Sequence, residues 1–414
     1  MFLPWENHLL QFNYIGPSFA HEISNGCRLK VIHETSPNRG RTRRGVGLHP
    51  NAVIGTVIHK LLEAARRNTF SNNSEAWSIG FANSILEQLV SEEECNLISN
   101  PLNQNLIPLN QHEGYDRCWE ALSSAVAINS NVGNNIPLPN NDGSSSYYHR
   151  LIGAEIDVWD LNDYWDANLN EDSAPIFHLK GQVDLIEETD NGRYNIIDYK
   201  TGSIYDSGTL ELKESYVTQI KLYGQMWVQT VLFRHSISLS LSDLSLLLDG
   251  SEGRFEVATE GSIELLQNIR EIIHAVNETL ASSQSIEQIS QLLANPSTDS
   301  CRNCLYRTGC VPYLENILLN DGFIENGFDI IGEIISEPTP NAVGSIDYQI
   351  RIRTTNGEIW MIDNINSRWI EAQNIGIGCV YGFFGGREVE HSATINFDRR
   401  FRLNRYQQAM YPLL

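Results

Sequence analysis

Two stretches in the middle of the chain alternate between apolar and polar residues with the period of a β-strand. They span residues 178–186 and 194–200, and the Asp-Asn-Gly sequence at 190–192 favours a tight turn with positive φ between them. Successive side chains of a strand point to opposite faces, so Asp198 and Lys200 lie on the same face. The pattern therefore predicts a β-hairpin with an acid–lysine pair at the end of its second strand.

The remaining periodicity predicts a mixed α/β chain. Residues 18–30 are predicted as the start of a helix followed by a cysteine and basic residues, and apolar residues recur with helical spacing at 55–65, 78–90, 111–128, 216–231 and 263–281. A strand is predicted at 147–159, and two more are predicted within 238–259. Residues 129–146 are rich in Asn, Pro, Gly and Ser, and residues 160–176 have no clear period, so both segments are predicted as loops.

The last part of the chain has the pattern of short strands. Five alternating runs within residues 328–398 predict a small β-barrel, for which an OB-like fold is the first hypothesis. Its aromatic residues could stack on the bases of single-stranded nucleic acid, although taken one by one they are expected in the core. These residues are Trp360, Trp369, Tyr381, Phe383 and Phe384.

Composition and charge restrict the possible partners. The 414 residues are 41% hydrophobic, as in a globular protein, and carry a net charge of −22. No apolar run approaches the length of a membrane span and no signal peptide is recognisable, so a cytoplasmic protein without a membrane partner is expected. The negative charge argues against nonspecific coating of duplex DNA. It is compatible with DNA binding in a narrow channel or with a basic partner protein. The most basic tract of the chain is 38–44.

Three cysteines near residue 300 have the spacing of metal ligands. Cys301, Cys304 and Cys310 form a C-x2-C-x5-C pattern, and clustered cysteines in a reducing cytosol indicate metal binding rather than disulfides. Cys95 and Cys118 have no such neighbours and are expected to be structural, and Cys379 is expected in the core. Spacing alone does not distinguish an iron–sulfur cluster from zinc, because both accept four thiolates.

Four short motifs occur in a fixed order along the chain. They are Gly55-x3-His59, Gly181-x2-Asp184, the sequence DYKTG at 198–202, and Gln219-x3-Tyr223. With the cysteines, this order resembles the PD-(D/E)xK nuclease superfamily, and in particular its RecB-like branch with an iron–sulfur cluster, of Cas4/AddB type. Each motif alone has little specificity, whereas their joint occurrence is much more specific.

The resemblance implies a fold and a set of site residues. The fold is a restriction-endonuclease-like core with a mixed central sheet flanked by helices, in a domain over 1–320 with a helical insertion at about 75–130, followed by a β-rich domain over 321–414. Mg2+ or Mn2+ would be bound by His59, Asp184, Asp198 and the backbone carbonyl of Tyr199. The other implied catalytic positions are Lys200, Glu155, Gln219 and Tyr223, and Asp157 shares a strand face with Glu155.

The resemblance also completes the cysteine set. It implies that Cys27 joins Cys301, Cys304 and Cys310 around a [4Fe–4S] cluster, with Zn2+ as the alternative. Such a centre would connect the start of the chain to the end of the nuclease domain.

The implied function is that of a metal-dependent DNA nuclease acting on single strands or free ends. An alternative is a non-catalytic DNA-binding or scaffold subunit of a nuclease or helicase–nuclease complex. The chain lacks a G-x4-G-K-[ST] phosphate loop, so a helicase partner would be a separate chain, as would a defence-system subunit. DNA repair, recombination, CRISPR spacer acquisition and anti-phage defence all use nucleases of this kind. The β-rich domain departs from minimal Cas4-like proteins and counts against spacer acquisition.

Overall fold

The computed structural model describes most of the chain. The described residues are 15–35, 50–70, 78–98, 108–112, 114–130, 149–159, 179–189, 192–200, 203–206, 208–230, 236–243, 253–283, 285–297, 300–301, 304, 306–319, 329–367, 370–371, 375–384, 387–388, 394–396 and 409–412. Among them, no helix is long and apolar enough to cross a lipid bilayer. The basic tract at 38–44, the loop at 160–176 and most of 129–146 lie outside this set.

A five-stranded mixed sheet forms the centre of the first part of the protein. Its strands, in both chain and sheet order, are β1 (His149–Trp159), β2 (Lys180–Thr189), β3 (Tyr194–Lys200), β4 (Ile237–Asp243) and β5 (Arg254–Val257). β3 and β4 are parallel, and the other neighbours are antiparallel. The predicted hairpin therefore corresponds to β2 and β3, and β3 is the central strand of the sheet.

Helices cover both faces of this sheet. They are α1 (Ala20–Asn25), α2 (Arg28–Thr35), α3 (Pro50–Phe70), α4 (Ile79–Ile98), α5 (Asp116–Ser130), α6 (Glu214–Thr230), α7 (Ser262–Ser282), α8 (Ile286–Leu293) and α9 (Val311–Leu319). Apolar residues of α1, α2, α6, α7 and α8 share one core with one face of the sheet. Those of α3, α4 and α5 share a separate core with the other face. The predicted helical insertion thus forms part of this second layer.

Two glycines allow α6 to approach the sheet closely. A Cβ on Gly224 of α6 would lie 2.6 Å from Cδ2 of Leu239 on β4. A Cβ on Gly181 of β2 would lie 2.6 Å from Cε1 of Tyr223 and 2.8 Å from Cδ of Pro17. Because real Cβ atoms essentially never come so close to other atoms, a larger residue at either position would have to displace its neighbours.

A second sheet of eight strands follows α9. Its strands are β6 (Ile330–Ile334), β7 (Thr339–Pro340), β8 (Asp347–Arg353), β9 (Ile359–Asn366), β10 (Val380–Phe384), β11 (Arg387–Glu388), β12 (Thr394–Asn396) and β13 (Ala409–Pro412). The order is β11-β12-β9-β8-β6-β10-β13, with β7 paired to β8. No pairing among the described residues joins the two ends, so a closed OB-like barrel is not shown.

The aromatic residues of this sheet lie mainly inside. Tyr381, Phe383 and Phe384 are buried, and Trp360 is partly buried. Trp369 lies outside the described residues. The three buried rings have no surface on which a base could stack. Cys379 was predicted in the core, and this is wrong: it is exposed, because it lies in the turn that precedes β10.

The second sheet packs directly against the part of the chain that carries the cysteines. Ile331 of β6 and Phe384 of β10 form a small apolar cluster with Tyr313 and Ile317 of α9 and with Cys301. The opposite face of the same strands contributes Ile330 and Phe383 to the internal core of the sheet. β6 and β10 are therefore covered on both faces.

The predicted helices and strands begin within about five residues of their expected positions, but three short strands of the second sheet (β7, β11 and β13) and two helices were not predicted. Helices α8 and α9 were not predicted, since both are short and lie close to the cysteine segment. The Ser285 side chain caps α8 by accepting a hydrogen bond from the amide of Gln288.

Candidate active site

The two acids of the hairpin lie on neighbouring strands. Leu185 of β2 pairs with Ile197 of the antiparallel β3, and Asp184 and Asp198 are the next residues of the two strands, on the same side of that pair. The Asp184 carboxylate also accepts a hydrogen bond of 2.7 Å from the backbone amide of Tyr199. This bond ties the middle of β2 to the backbone of β3 beside Asp198. The tertiary structure thus brings together Asp184, Asp198 and the backbone of Tyr199.

Asp198 and Lys200 form a buried ion pair. The Lys200 ammonium lies 2.5 Å from Oδ2 of Asp198, although this contact falls outside hydrogen-bonding geometry. Oδ2 is buried and receives no hydrogen bond from any described residue. A buried carboxylate oxygen in that state is costly unless a cation compensates it. In this structure the Lys200 ammonium supplies the compensating charge.

Helix α6 holds the other side of the Lys200 ammonium. The ammonium donates a hydrogen bond of 2.7 Å to Oε1 of Gln219, and the Gln219 amide nitrogen lies 3.4 Å from the Tyr223 hydroxyl. Gln219 and Tyr223 are four residues apart and therefore share one face of the helix. Gly181 lets the Tyr223 ring pack against β2. The two motif residues on α6 thus form a chain of contacts that ends at Lys200.

Burial dominates the electrostatics of this site. Burial raises the pKa of Asp198 to about 6, Lys200 opposes the rise, Asp184 adds to it, and His59 opposes it. His59 lies on α3 and is half-buried. Because its imidazole affects the pKa of Asp198, it lies within electrostatic range of that carboxylate. The structure therefore places the helical histidine within electrostatic range of Asp198, on a helix that packs against the sheet.

Glu155 lies on β1 beside Asp184 in the register. Ala154 pairs with Leu185, and Ile156 pairs with Val183. The residues between these pairs, Glu155 and Asp184, therefore have neighbouring backbones. The Glu155 side chain is outside what the structure describes. Asp157, the weaker candidate on this strand, is exposed.

The residues at this site suit a hard divalent cation in their chemistry. Two carboxylates, one of them with a buried oxygen that lacks a hydrogen-bond donor, are ligands that Mg2+ and Mn2+ prefer. Within the described part of the chain, however, no group of three or more His, Cys, Asp or Glu residues could hold a metal ion as placed.

The four cysteines of the predicted cluster lie within electrostatic range of one another, although as placed they do not form a group that could hold a metal ion. Cys27 precedes α2, and the other three lie between residues 300 and 310. The thiol of Cys27 affects the pKa of Cys301, Cys304 and Cys310, so all four lie within electrostatic range. Three are buried, Cys310 is partly buried, and the Asn295 amide lies 3.5 Å from the Cys27 sulfur. Folding thus joins residues that are far apart in the sequence.

The surroundings of these thiols favour their neutral form when no metal is bound. Burial raises the pKa of Cys301 to about 12 and that of Cys304 to about 11, and it also raises the pKa of Cys310. Arg307 opposes the rise at Cys301 and Cys304, and Lys30 does so at Cys304. A metal ligand must be a thiolate, so binding would release protons here.

A buried ion pair fixes the cysteine segment. Arg307 donates hydrogen bonds to Asp329, the shorter being 2.6 Å, and to the carbonyl of Cys304 at 3.1 Å. The Tyr313 hydroxyl donates to the same Asp329 carboxylate at 2.6 Å. Asp329 directly precedes β6, so this network also connects the cysteines to the second sheet.

Two residues near Lys200 were missed by the sequence analysis. Tyr216 lies on the same face of α6 as Gln219 and Tyr223, and helical spacing could have identified it. Asp243 is buried and pairs with Lys200 across the parallel strands β3 and β4. No local pattern marks Asp243, because its position depends on the register between two strands that are separated by α6.

The mixed sheet flanked by helices is consistent with a restriction-endonuclease-like fold, and its central hairpin carries two acids and a lysine. This combination is consistent with the class of restriction-endonuclease-like nucleases. The sequence matches the PD-(D/E)XK nuclease superfamily over residues 27–311, more than half of the chain, and the protein therefore belongs to that superfamily. Its members are typically nucleases that use divalent metals such as Mg2+ or Mn2+.

Two further comparisons add little. No curated protein matches this sequence. A solved structure, "Crystal structure of SSO0001", is 15% identical over 56% of this chain and 99% of its own, with a TM-score of 0.21. A TM-score of that size does not indicate a shared arrangement of the backbone.

Proposed function

We propose that the protein is a Mg2+- or Mn2+-dependent deoxyribonuclease that hydrolyses phosphodiester bonds. The observation that carries the proposal is the buried Asp198–Lys200 pair beside Asp184 on the central strands of the sheet. An ion pair buried only for stability is of doubtful benefit, because desolvation offsets the attraction. Buried acids with perturbed pKa values beside a cationic group are typical of catalytic sites.

Specific roles follow for the chain's own residues. Asp184, Asp198, His59 and the carbonyl of Tyr199 would hold the cation, and Glu155 would approach it from β1. A bound divalent cation supplies charge neutralisation of the scissile phosphate and lowers the pKa of a bound water. Lys200 would orient the attacking water and stabilise negative charge on the phosphate in the transition state.

The residues of α6 would act through Lys200. Gln219 accepts a hydrogen bond from its ammonium, and Tyr223 contacts Gln219. Holding the ammonium on both sides keeps it at the end of β3, where the acids lie. Loss of either side chain of α6 would therefore reduce turnover more than substrate binding.

A second part of the proposal concerns the cysteines. We infer that Cys27, Cys301, Cys304 and Cys310 hold a [4Fe–4S] cluster, with Zn2+ as the alternative. Their burial, their mutual proximity and the nearby Lys30 and Arg307 support a centre of several thiolates. Visible absorption and measurement of iron, zinc and sulfide in the purified protein distinguish the two metals.

The substrate and partners are proposed at the level of class. The substrate is DNA, single-stranded or with free ends, and the setting is a cytoplasmic repair, recombination or anti-phage pathway. A separately encoded helicase or defence subunit would supply any ATP-driven step. The alternative function is a non-catalytic DNA-binding or scaffold subunit, which the retained acid–lysine pair argues against.

The test measures degradation of end-labelled single-stranded and duplex DNA with Mg2+, Mn2+ or EDTA. Wild type should degrade DNA only with metal, and Asp198→Ala or Lys200→Ala should lower the rate at least about 100-fold. Matched controls are Asp206→Asn and Lys221→Ala. Asp206 is exposed, and the Lys221 ammonium donates to the Glu260 carbonyl away from the acids. Equal degradation by wild type and both site variants would refute the assigned roles.

A further inference from the structure

The ring of Tyr216 lies between two lysines at the start of α6. The Lys200 ammonium is 4.6 Å from the ring centroid, and the Lys213 ammonium is 5.2 Å from it. Both distances are within the range of cation–π attraction, in which the negative face of the ring stabilises an ammonium. Neither the sequence motifs nor the family match assigns a role to Tyr216.

Lys200 is held by three different kinds of contact. Asp198 provides the opposite charge, and Gln219 provides a hydrogen-bond acceptor. The Tyr216 ring provides an aromatic face, which attracts the ammonium without a directional hydrogen bond. Tyr216, Gln219 and Tyr223 lie at positions i, i+3 and i+7 of α6, which form one stripe of the helix. One helical face therefore contributes the ring, the amide and the second tyrosine to the same region.

The contact depends on the ring rather than on the phenol. The Tyr216 hydroxyl makes no hydrogen bond to a residue within the described ranges, whereas the ring touches the lysine. The Lys200 side chain is 13% exposed, so water screens this attraction less than it would at the surface.

Lys213 uses the same ring to fix the segment that follows β3. Its ammonium donates a hydrogen bond of 2.6 Å to the carbonyl of Ser203, three residues after Lys200. The amide of Lys213 also donates to the carbonyl of Ile204. The ring thus lies between the candidate catalytic lysine and the lysine that anchors the following loop.

We propose that Tyr216 is a positioning residue that holds the Lys200 ammonium through its aromatic face. This inference rests on the proposed nuclease function for its kinetic consequence, but the contact itself can be tested without activity. Phenylalanine retains the face and should replace tyrosine, whereas leucine retains the apolar volume and removes the face.

The kinetic experiment compares wild type, Tyr216→Phe and Tyr216→Leu on end-labelled DNA with Mn2+. We expect Tyr216→Phe to stay within about twofold of wild type and Tyr216→Leu to lose roughly 2- to 30-fold in kcat, with a smaller change in KM. Tyr205→Leu is the control for loss of a tyrosine ring, because Tyr205 packs on Phe255 and not on a lysine. Lys213→Gln tests loosening of the loop by itself, because it removes the Lys213 ammonium and keeps the contact between Tyr216 and Lys200.

The second readout is the NMR signal of the Lys200 ε-methylene in protein labelled with 13C at lysine Cε, assigned by its disappearance in Lys200→Arg. The ring should shift this signal upfield in wild type and Tyr216→Phe, and the shift should vanish in Tyr216→Leu. An unshifted wild-type signal, or equal kinetic loss in the Phe and Leu variants, would overturn the inference. Wild-type protein without nuclease activity but with the shifted signal would refute the proposed function and leave the contact established.

Discussion

Burial determines the chemistry of Asp198. Its carboxylate lies on the central strand, one oxygen lacks a hydrogen-bond donor among the described residues, and its pKa is raised to about 6 mainly by desolvation. Lys200 and His59 favour the charged form but do not cancel this penalty. A divalent cation would do so, and the same residue therefore links stability, pH and metal binding.

The first prediction concerns pH. The pKa of Asp198 rises from 3.8 to about 6 on folding, so the folded state holds this proton more tightly than the unfolded chain. Its contribution to the free energy of unfolding must then fall as pH rises from about 4 to about 6, by at most about 3 kcal/mol. Urea denaturation in EDTA between about pH 4 and pH 6 should show this fall in the free energy of unfolding for wild type and not for Asp198→Asn.

Subtracting the two pH profiles removes the contribution of the other acids. Above pH 6, added Mg2+ should restore part of the lost free energy of unfolding in wild type, because a bound cation stabilises the carboxylate. It should have less effect on Asp198→Asn. Parallel profiles for the two proteins in EDTA would contradict the assigned pKa.

The second prediction concerns Gly181. An alanine there would place its Cβ 2.6 Å from Cε1 of Tyr223 and 2.8 Å from Cδ of Pro17. We expect Gly181→Ala to lower the free energy of unfolding by about 1–3 kcal/mol and to reduce nuclease turnover by displacing Tyr223. Gly376→Ala is the matched control, because nothing lies within 4 Å of its added Cβ. Equal stability of the two variants in urea denaturation would refute the close contact.

Among the helices and strands, α6 makes the most direct contribution to the site. It connects the parallel strands β3 and β4, so its first turns pass over the end of β3 that carries Lys200. Its face then brings Tyr216, Gln219 and Tyr223 towards that lysine. The crossover that the parallel pair requires is therefore also the element that holds the candidate catalytic lysine.

The cysteine segment depends on a different element, the start of β6. Asp329 is fully buried and binds both Arg307 and the Tyr313 hydroxyl, while Arg307 also holds the carbonyl of Cys304. Asp329 outweighs the desolvation of Arg307 and raises its pKa, so the guanidinium stays charged. A residue of the second sheet thus sets the conformation of a candidate ligand.

The third prediction follows from this network. Asp329→Asn should lower the free energy of unfolding by about 3–5 kcal/mol, because it leaves the Arg307 charge buried without its partner. Glu333→Gln is the control, since the Glu333–Arg353 pair is exposed at 3.9 Å and should contribute less than about 1 kcal/mol. Measurements are urea denaturation, metal content and reactivity of the cysteines. Normal stability and metal content in Asp329→Asn would contradict this role.

At the scale of the whole molecule, the second sheet packs against α9 and the cysteine segment through an apolar cluster of described residues. Tyr313, Ile317 and Cys301 on one side pack against Ile331 and Phe384 on the other. The cysteine segment lies in this junction, so the proposed metal centre would stabilise both parts. The division at about residue 320 stays a prediction of the sequence, and the packing described here crosses it.

The fourth prediction tests that junction with two residues of α9. Ile317 is fully buried, whereas Leu319 on the same helix is 83% exposed. Ile317→Ala should cost about 2–5 kcal/mol, and Leu319→Ala should stay within about 0.5 kcal/mol. Fluorescence and circular dichroism should report one coincident transition for the whole protein. Separate transitions in wild type would show that the two sheets unfold independently.

Local pattern was sufficient for much of the fold and for part of the site. The hairpin β2–β3, helix α6 and five of the eight strands of the second sheet follow from periods of two and 3.6, which depend only on near neighbours along the chain. The pairing of Asp198 with Lys200 and of Gln219 with Tyr223 follows from the same rules. Helices α8 and α9 were missed because a helix of eight or nine residues shows the helical repeat at only a few positions.

The sequence by itself therefore determined the order of the elements, the kind of chemistry at the end of β3 and the types of possible metal ligands. Only the tertiary structure decided how deeply Asp198 is buried, that Cys27 lies with the cysteines near residue 300, and that Tyr216, Asp243 and Asp329 contact or adjoin these sites. The physical reason is the distance along the chain over which each effect acts. Alternation and helical spacing are properties of a few consecutive residues, whereas desolvation and cross-strand register arise only when distant segments pack together.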